Sequence, residues 1–134
     1  MPTQLEEKDA IREVMAEYCF RLDNDRFADM AALFTTNGTW DTAFGKGTGR
    51  DGIEALVRGM RQSATPRPRA IHHVTNIVIK LDGDTAKCFS NWVVVQNSGQ
   101  GPKIGSAGSY TDDMVKQNGQ WLFRYRKIDR FIHD

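Results

Sequence analysis

Apolar side chains recur along this chain with two different periods, and the change of period divides it into two halves. Ile11, Val14, Met15, Tyr18, Cys19 and Leu22 are three to four residues apart, the spacing of one buried helix face. Thr3 and Glu6 precede that stripe at capping-box spacing, so a hydroxyl and a carboxylate can each satisfy one orphan N–H at the helix start. Asp23-Asn24-Asp25 breaks the pattern, and Phe27, Met30, Ala31 and Phe34 give a second, shorter helix its stripe. From Thr39 to Phe44 the period becomes two, which predicts a strand bounded by Asn37-Gly38 and by the glycines at 45, 47 and 49. Asp51 is the expected N-cap of a third helix carrying Ile53, Leu56, Val57 and Met60. Thr65-Pro66-Arg67-Pro68 stops it, because proline lacks the N–H and clashes with the preceding turn.

The second half reads as strands: Ile71 to Leu81, Lys87 to Gln96, Lys103 to Val115 and Gln120 to Ile132. Asp82-Gly83-Asp84 and Asn118-Gly119 are hairpin turns by composition. Helices first and antiparallel strands last predict an α+β fold, a bent sheet with helices on one face, in a single domain over residues 1–134. From Phe89 to Val95 both alternating faces are apolar, and the same holds from Trp121 to Tyr125. Helices cover one face only, so this pattern predicts a homo-oligomer that covers the other.

Composition removes several function classes. Eighteen Lys and Arg against 17 Asp and Glu leave a net charge of +1, so no strong field attracts nucleic acid or an anionic membrane. No apolar run approaches the ~20 residues that span a bilayer. The opening MPTQLEEKDA lacks the apolar stretch of a signal peptide, and a cytoplasmic location is expected. Cys19 and Cys88 form no C-x-x-C pair and the three histidines no H-x-H, so no metal site is expected.

Two features suggest chemistry. Asp23 lies at the C-terminal end of the first helix, where the helix dipole disfavours a carboxylate. It is either a solvated turn residue or a carboxylate held at a cavity mouth. His72-His73 opens a strand, where successive side chains point to opposite faces, so at most one enters the interior. That histidine is either an ordinary strand residue or a general base oriented by Asp23. The segment from Gly45 to Gly52 lacks a phosphate-loop pattern and reads as a mobile turn. Arg67 and Arg69 read as a solvated loop, Arg126 as a snorkelling surface residue, and Trp40 and Tyr110 as core aromatics.

The order of motifs resembles a known family. A first helix ending in L-D-x-D-R-F, then A-x-L-F-x-x-x-G-x-W-D, a short helix, H-H-V-x-N-x-x-I-x-x-D-G-D-x-A and a closing N-G-x-W-x-F are similar to the SnoaL-like family. That family belongs to the nuclear-transport-factor-2-like superfamily, and the likeness spans about residues 5 to 132. It implies a cone-shaped α+β barrel, its curved mixed sheet wrapped around the N-terminal helices. Its cofactor-free lyases, scytalone dehydratase and hexachlorocyclohexane dehydrochlorinase, use a catalytic Asp–His pair. By this likeness the aspartate is Asp23 and the histidine His72, or His73 if a bulge intervenes. Trp40 and Tyr110 take the places of pocket aromatics and Arg126 that of a last-strand arginine. Tyr18 replaces an active-site lysine, while Leu22 and Thr42 replace two tyrosines that polarise a carbonyl through water. The resemblance implies a cofactor-independent lyase or isomerase acting on a small hydrophobic cyclic molecule. In it Asp23, His72 and Arg126 are catalytic, and Trp40, His73, Tyr110 and Tyr18 contact the substrate. The same fold also supports a non-catalytic ligand-binding or assembly module. For the assembly it favours a trimer over a dimer.

Overall fold

Thr3 opens the fold as its spacing predicts. Its hydroxyl accepts the Glu6 N–H and the Glu6 carboxylate accepts the Thr3 N–H, both at 3.1 Å, and helix α1 follows over Gln4–Asp23. The computed structural model describes residues 1–64 and 66–134; Thr65, part of the proline-rich helix stop, lies outside the described residues. Two more helices follow, α2 (Phe27–Ala31) and α3 (Gly49–Gln62). Among the described residues six strands follow: β1 (Phe34–Thr42), β2 (Gly45–Thr48), β3 (Ala70–Asp82), β4 (Thr85–Gln96), β5 (Lys103–Gln117) and β6 (Gln120–Ile132). They form one sheet in the order β2-β1-β6-β5-β4-β3, antiparallel except for the parallel pairing of β1 with β6. The barrel implied by the resemblance is an open curved sheet here, with β2 and β3 as its two edges.

Three local readings need correction. Phe34 does not belong to α2, which ends after five residues; it begins β1, opposite Phe123. The glycine-rich segment is not a turn: Gly45–Thr48 is strand β2, paired with β1, and Gly49 to Gly52 open α3. Asp51 sits inside α3, whose N-cap is Thr48, because Gly49 at φ +75° already turns the chain into the helix. Gly47 is required by proximity. A Cβ there would come within 2.9 Å of the Gly52 carbonyl oxygen and Ile53 Cα, so only glycine lets β2 lie against α3.

The α1 stripe of Ile11, Met15, Tyr18, Cys19 and Leu22 is buried, joined in one core by Ile53 and Val57 of α3 and by Phe34, Trp40, Trp92, Tyr110, Met114 and Phe123 of the sheet. Asn118 and Gly119 take φ +51° and +78°, the two positive values that a tight β5–β6 turn needs. On the outer face Val78 and Phe89, paired across β3 and β4, stay 51% and 41% exposed. No helix, among the described residues, is long and apolar enough to cross a membrane.

Strand β3 carries one irregularity that positions the site. Thr75 pairs with Asn91 and Val78 with Phe89, so Asn76 and Ile77 together oppose Ser90. Asn76 adopts φ +54° to make this bulge. The inward series therefore changes parity: His72 and Val74 are partly covered before the bulge, Ile77 and Ile79 after it.

Candidate active site

Asp23 is the last residue of α1, and His72 the third of β3. Asp23 Oδ2 accepts the backbone N–H of His72 at 2.9 Å, and Oδ1 lies 2.5 Å from His72 Nδ1. Their side chains are only 7% and 16% exposed, so the pair is shielded from bulk water. With the carboxylate accepting from the ring, Nδ1 carries the hydrogen and Nε2 keeps its lone pair free.

The loop entering β3 holds this geometry. Arg69 donates to the Asp23 carbonyl at 2.7 Å and to Asn24 Oδ1 at 3.1 Å, placing positive charge at the helix end where the dipole is negative. Arg67 Nη2 donates to both carboxylate oxygens of Asp25 at 2.8 Å. Arg67 and Arg69 lie in an exposed loop, as read from the sequence, and their side chains also clamp the start of β3 to the end of α1. His73 points to the opposite face of β3 and is exposed, because adjacent strand residues alternate; it does not line the cavity that His72 faces.

That cavity encloses about 800 Å³ between α3 and the concave side of the sheet. Tyr18, Trp40, His72, Trp92 and Tyr110 line it together with Leu22, Leu56 and Met60. Leu22 and Thr42, where the resemblance loses two tyrosines, also face it. The rings form a chain: His72 to Trp92 at 6.3 Å between centroids, Trp92 to Tyr110 at 6.1 Å and Tyr110 to Tyr18 at 5.8 Å. Trp40 Nε1 donates to the Tyr18 hydroxyl at 2.9 Å, which leaves the Tyr18 proton available to another acceptor. Burial pushes the Tyr18 hydroxyl up to about 12 and that of Tyr110 well above the usual tyrosine value. Both therefore stay protonated at neutral pH and can donate a hydrogen bond.

Arg126 is neither a surface residue nor part of the cavity wall. It is fully buried beneath the Tyr110, Tyr18 and Phe123 rings, its guanidinium carbon 3.5, 4.3 and 4.4 Å from their centroids. Its Nε donates to Asp112 Oδ1 at 2.9 Å, and Asp112 is itself 1% exposed. Register decides this pairing, since Asp112 and Arg126 are direct partners across β5 and β6. The expected contact between Arg126 and substrate is corrected accordingly: the charge lies behind an aromatic floor and reaches the cavity through Tyr18 and Tyr110.

Trp92, Asp112, Arg69 and the α3 residue Arg61 are site residues that sequence reasoning misses. A period of two places Trp92 with Ser90 and Val94, but with both faces apolar nothing says which face is inner. Burial pushes the Cys19 and Cys88 thiols up to about 11 and 12, so neither is a ready nucleophile at neutral pH. Among the described residues no three His, Cys, Asp or Glu side chains converge as metal ligands would.

Comparison with known proteins agrees with this architecture. The family model described as a SnoaL-like domain matches residues 3–127. An Asp-to-Asn variant of a protein of unknown function from Mycobacterium tuberculosis superposes with a TM-score of 0.86 and 27% identity, over 96% of this chain and 73% of the other. A protein named as a candidate scytalone dehydratase, from Novosphingobium aromaticivorans, gives 0.81 and 27% over 96% and 86% of the two chains. ActVI-ORFA from Streptomyces coelicolor gives 0.81 at 20% identity over 92% and 96%, a likeness of fold alone. None of the curated proteins matches the chain.

Proposed function

The chain belongs to the SnoaL-like domain family, and from that premise we propose that it is a cofactor-independent lyase or isomerase acting on a small hydrophobic cyclic molecule. One observation carries this reading: a hydrogen-bonded Asp23–His72 pair whose imidazole stands in the wall of an aromatic cavity. A cavity of about 800 Å³ suits a molecule of two to four rings. His72 Nε2 takes a proton from a ring carbon, and the C–H electron pair forms the new double bond. In an elimination the leaving group departs from the adjacent carbon with its own bonding pair; in an isomerisation the pair delocalises onto a carbonyl oxygen, and the His72 imidazolium then returns the proton to another carbon of the enolate. Asp23 holds the ring in the reactive tautomer and stabilises the imidazolium that results. Tyr18 and Tyr110 donate hydrogen bonds to the oxygen on which charge develops. They supply what Leu22 and Thr42 cannot, and Arg126 behind them strengthens both as donors.

The candidate scytalone dehydratase among the structural relatives supports the elimination form. The second reading, a binding module without chemistry, draws on the same aromatic cavity. A panel of hydroxylated and halogenated ring compounds, followed by proton NMR in D2O with wild type and Asp23→Asn, separates the two. The expected result is product formation or carbon-bound deuterium with the wild type only. Binding without either, across the panel, favours the module.

The cytoplasmic location and the assembly belong to this reading too. Ile71, Val78 and Phe89 on the outer sheet face are each about half exposed and leave roughly 0.7–1.5 kcal/mol of burial each unrealised in a monomer. Further copies of the chain cover that face, a trimer by family likeness. Light scattering at low micromolar concentration is expected to give about three times 15.1 kDa; the monomer mass refutes the burial argument, and twice the monomer mass refutes only the stoichiometry.

A further inference from the structure

The cavity wall is unequal in charge. Three arginines line it, Arg61 from α3, Arg67 from the loop before β3 and Arg130 from β6, and no Asp or Glu among the described residues does. Asp23 stands behind His72, and Asp112 lies with Arg126 beneath the aromatic floor. Two of the three arginines are already engaged. Arg67 is paired with Asp25, and Arg130 is exposed over the Phe44 ring at 5.5 Å. Arg61 is different: it is half-buried in the last turn of α3, and its guanidinium has no hydrogen bond or ion pair with another described residue.

We propose that the ligand of this cavity is an anion, an apolar ring system bearing a carboxylate, and that the Arg61 guanidinium is its anchor. The proposal rests on the cavity being the ligand site, as read above, and adds the substrate's charge to that reading. The physical reason is incomplete compensation. Burial lowers the Arg61 pKa below the usual arginine value and the nearby Arg67 charge acts in the same direction, while Asp25, Asp23 and the Tyr18 hydroxyl only partly oppose them. A guanidinium in that position gains from an anion, and its planar donor fork fits a carboxylate through two parallel N–H bonds. The ring body then lies along Trp40, Trp92 and Tyr110, in the same cavity that His72 faces. Since Trp40 and Trp92 both line the space, their fluorescence reports its occupancy.

Titration with 2-naphthoate and with its neutral methyl ester tests this without knowledge of the natural ligand. The acid is expected to bind ~10- to 100-fold more tightly than the ester to the wild type, the range of one charge-assisted hydrogen bond or pair. In Arg61→Gln the acid falls to the affinity of the ester, while the ester, which itself reports an intact cavity, binds as before. Arg61→Lys keeps part of the preference. Equal binding of acid and ester to the wild type overturns the proposal, whatever the variants do. Survival of the acid preference in Arg61→Gln overturns Arg61 as the anchor. Failure of both probes to bind overturns the cavity as a ligand site, and the proposal with it. Selective binding of the acid together with no turnover across the ring panel leaves the anion site standing and refutes the lyase reading.

Discussion

Replacing His72 by alanine lowers turnover by ~10² to 10⁴, the usual worth of one positioned general base. Binding of ring ligands, held by the aromatic walls, changes far less. The reason is geometric. His72 Nδ1 is committed to Asp23, so Nε2 is the one lone pair that the dyad presents for proton abstraction. Asp23 also receives the His72 backbone N–H, an interaction that survives the substitution and keeps the strand in place. The measurement is kcat for whichever panel compound the wild type converts, alongside a fluorescence titration of the same compound. A variant that turns over at the wild-type rate removes His72 from the mechanism. A variant that binds nothing assigns it to structure instead.

The second large effect concerns stability. Arg126→Met leaves Asp112 1% exposed with its ion-pair partner gone, and such a change costs about 3–5 kcal/mol. Burial already pushes the Asp112 carboxyl above the usual carboxylate range, and the guanidinium pulls it back. Against the ~5–15 kcal/mol that separates folded from unfolded domains, this is a major loss. The double variant Arg126→Met, Asp112→Leu removes both charges, and most of the loss is expected to return. Urea unfolding of the wild type, the single and the double variants gives the three free energies. A single variant within 1 kcal/mol of wild type shows that the pair is not the structural element its depth implies.

Most of the architecture was legible from neighbouring residues. Capping at Thr3 and Glu6, the α1 stripe and the Asn118-Gly119 turn each depend on groups within one or two turns of chain, so local chemistry determines them. The boundaries that shifted lie where packing overrides propensity. Phe34 suits a helix stripe by spacing, yet the parallel pairing of β1 with β6 draws it into the sheet. Gly45 to Thr48 has no side-chain pattern of a strand, and only its partner β1 makes it one.

By itself the sequence determined the α+β order, the helix that ends on Asp23 and the strand that opens on His72-His73, because periods of 3.6 and two are properties of the local backbone. Only the tertiary structure decided which histidine faces inward. Counting back by twos from the covered Ile77 and Ile79 selects His73, and the extra residue of the Asn76–Ile77 bulge makes it His72. It also decided how deep Arg126 lies, through its register with Asp112 across β5 and β6, and that Arg67 and Arg69 clamp α1 to β3. These are contacts between residues 14 to 46 positions apart. Local preference cannot encode them, since strand pairing, one bulge and the packing of a helix end against a sheet edge set which groups meet.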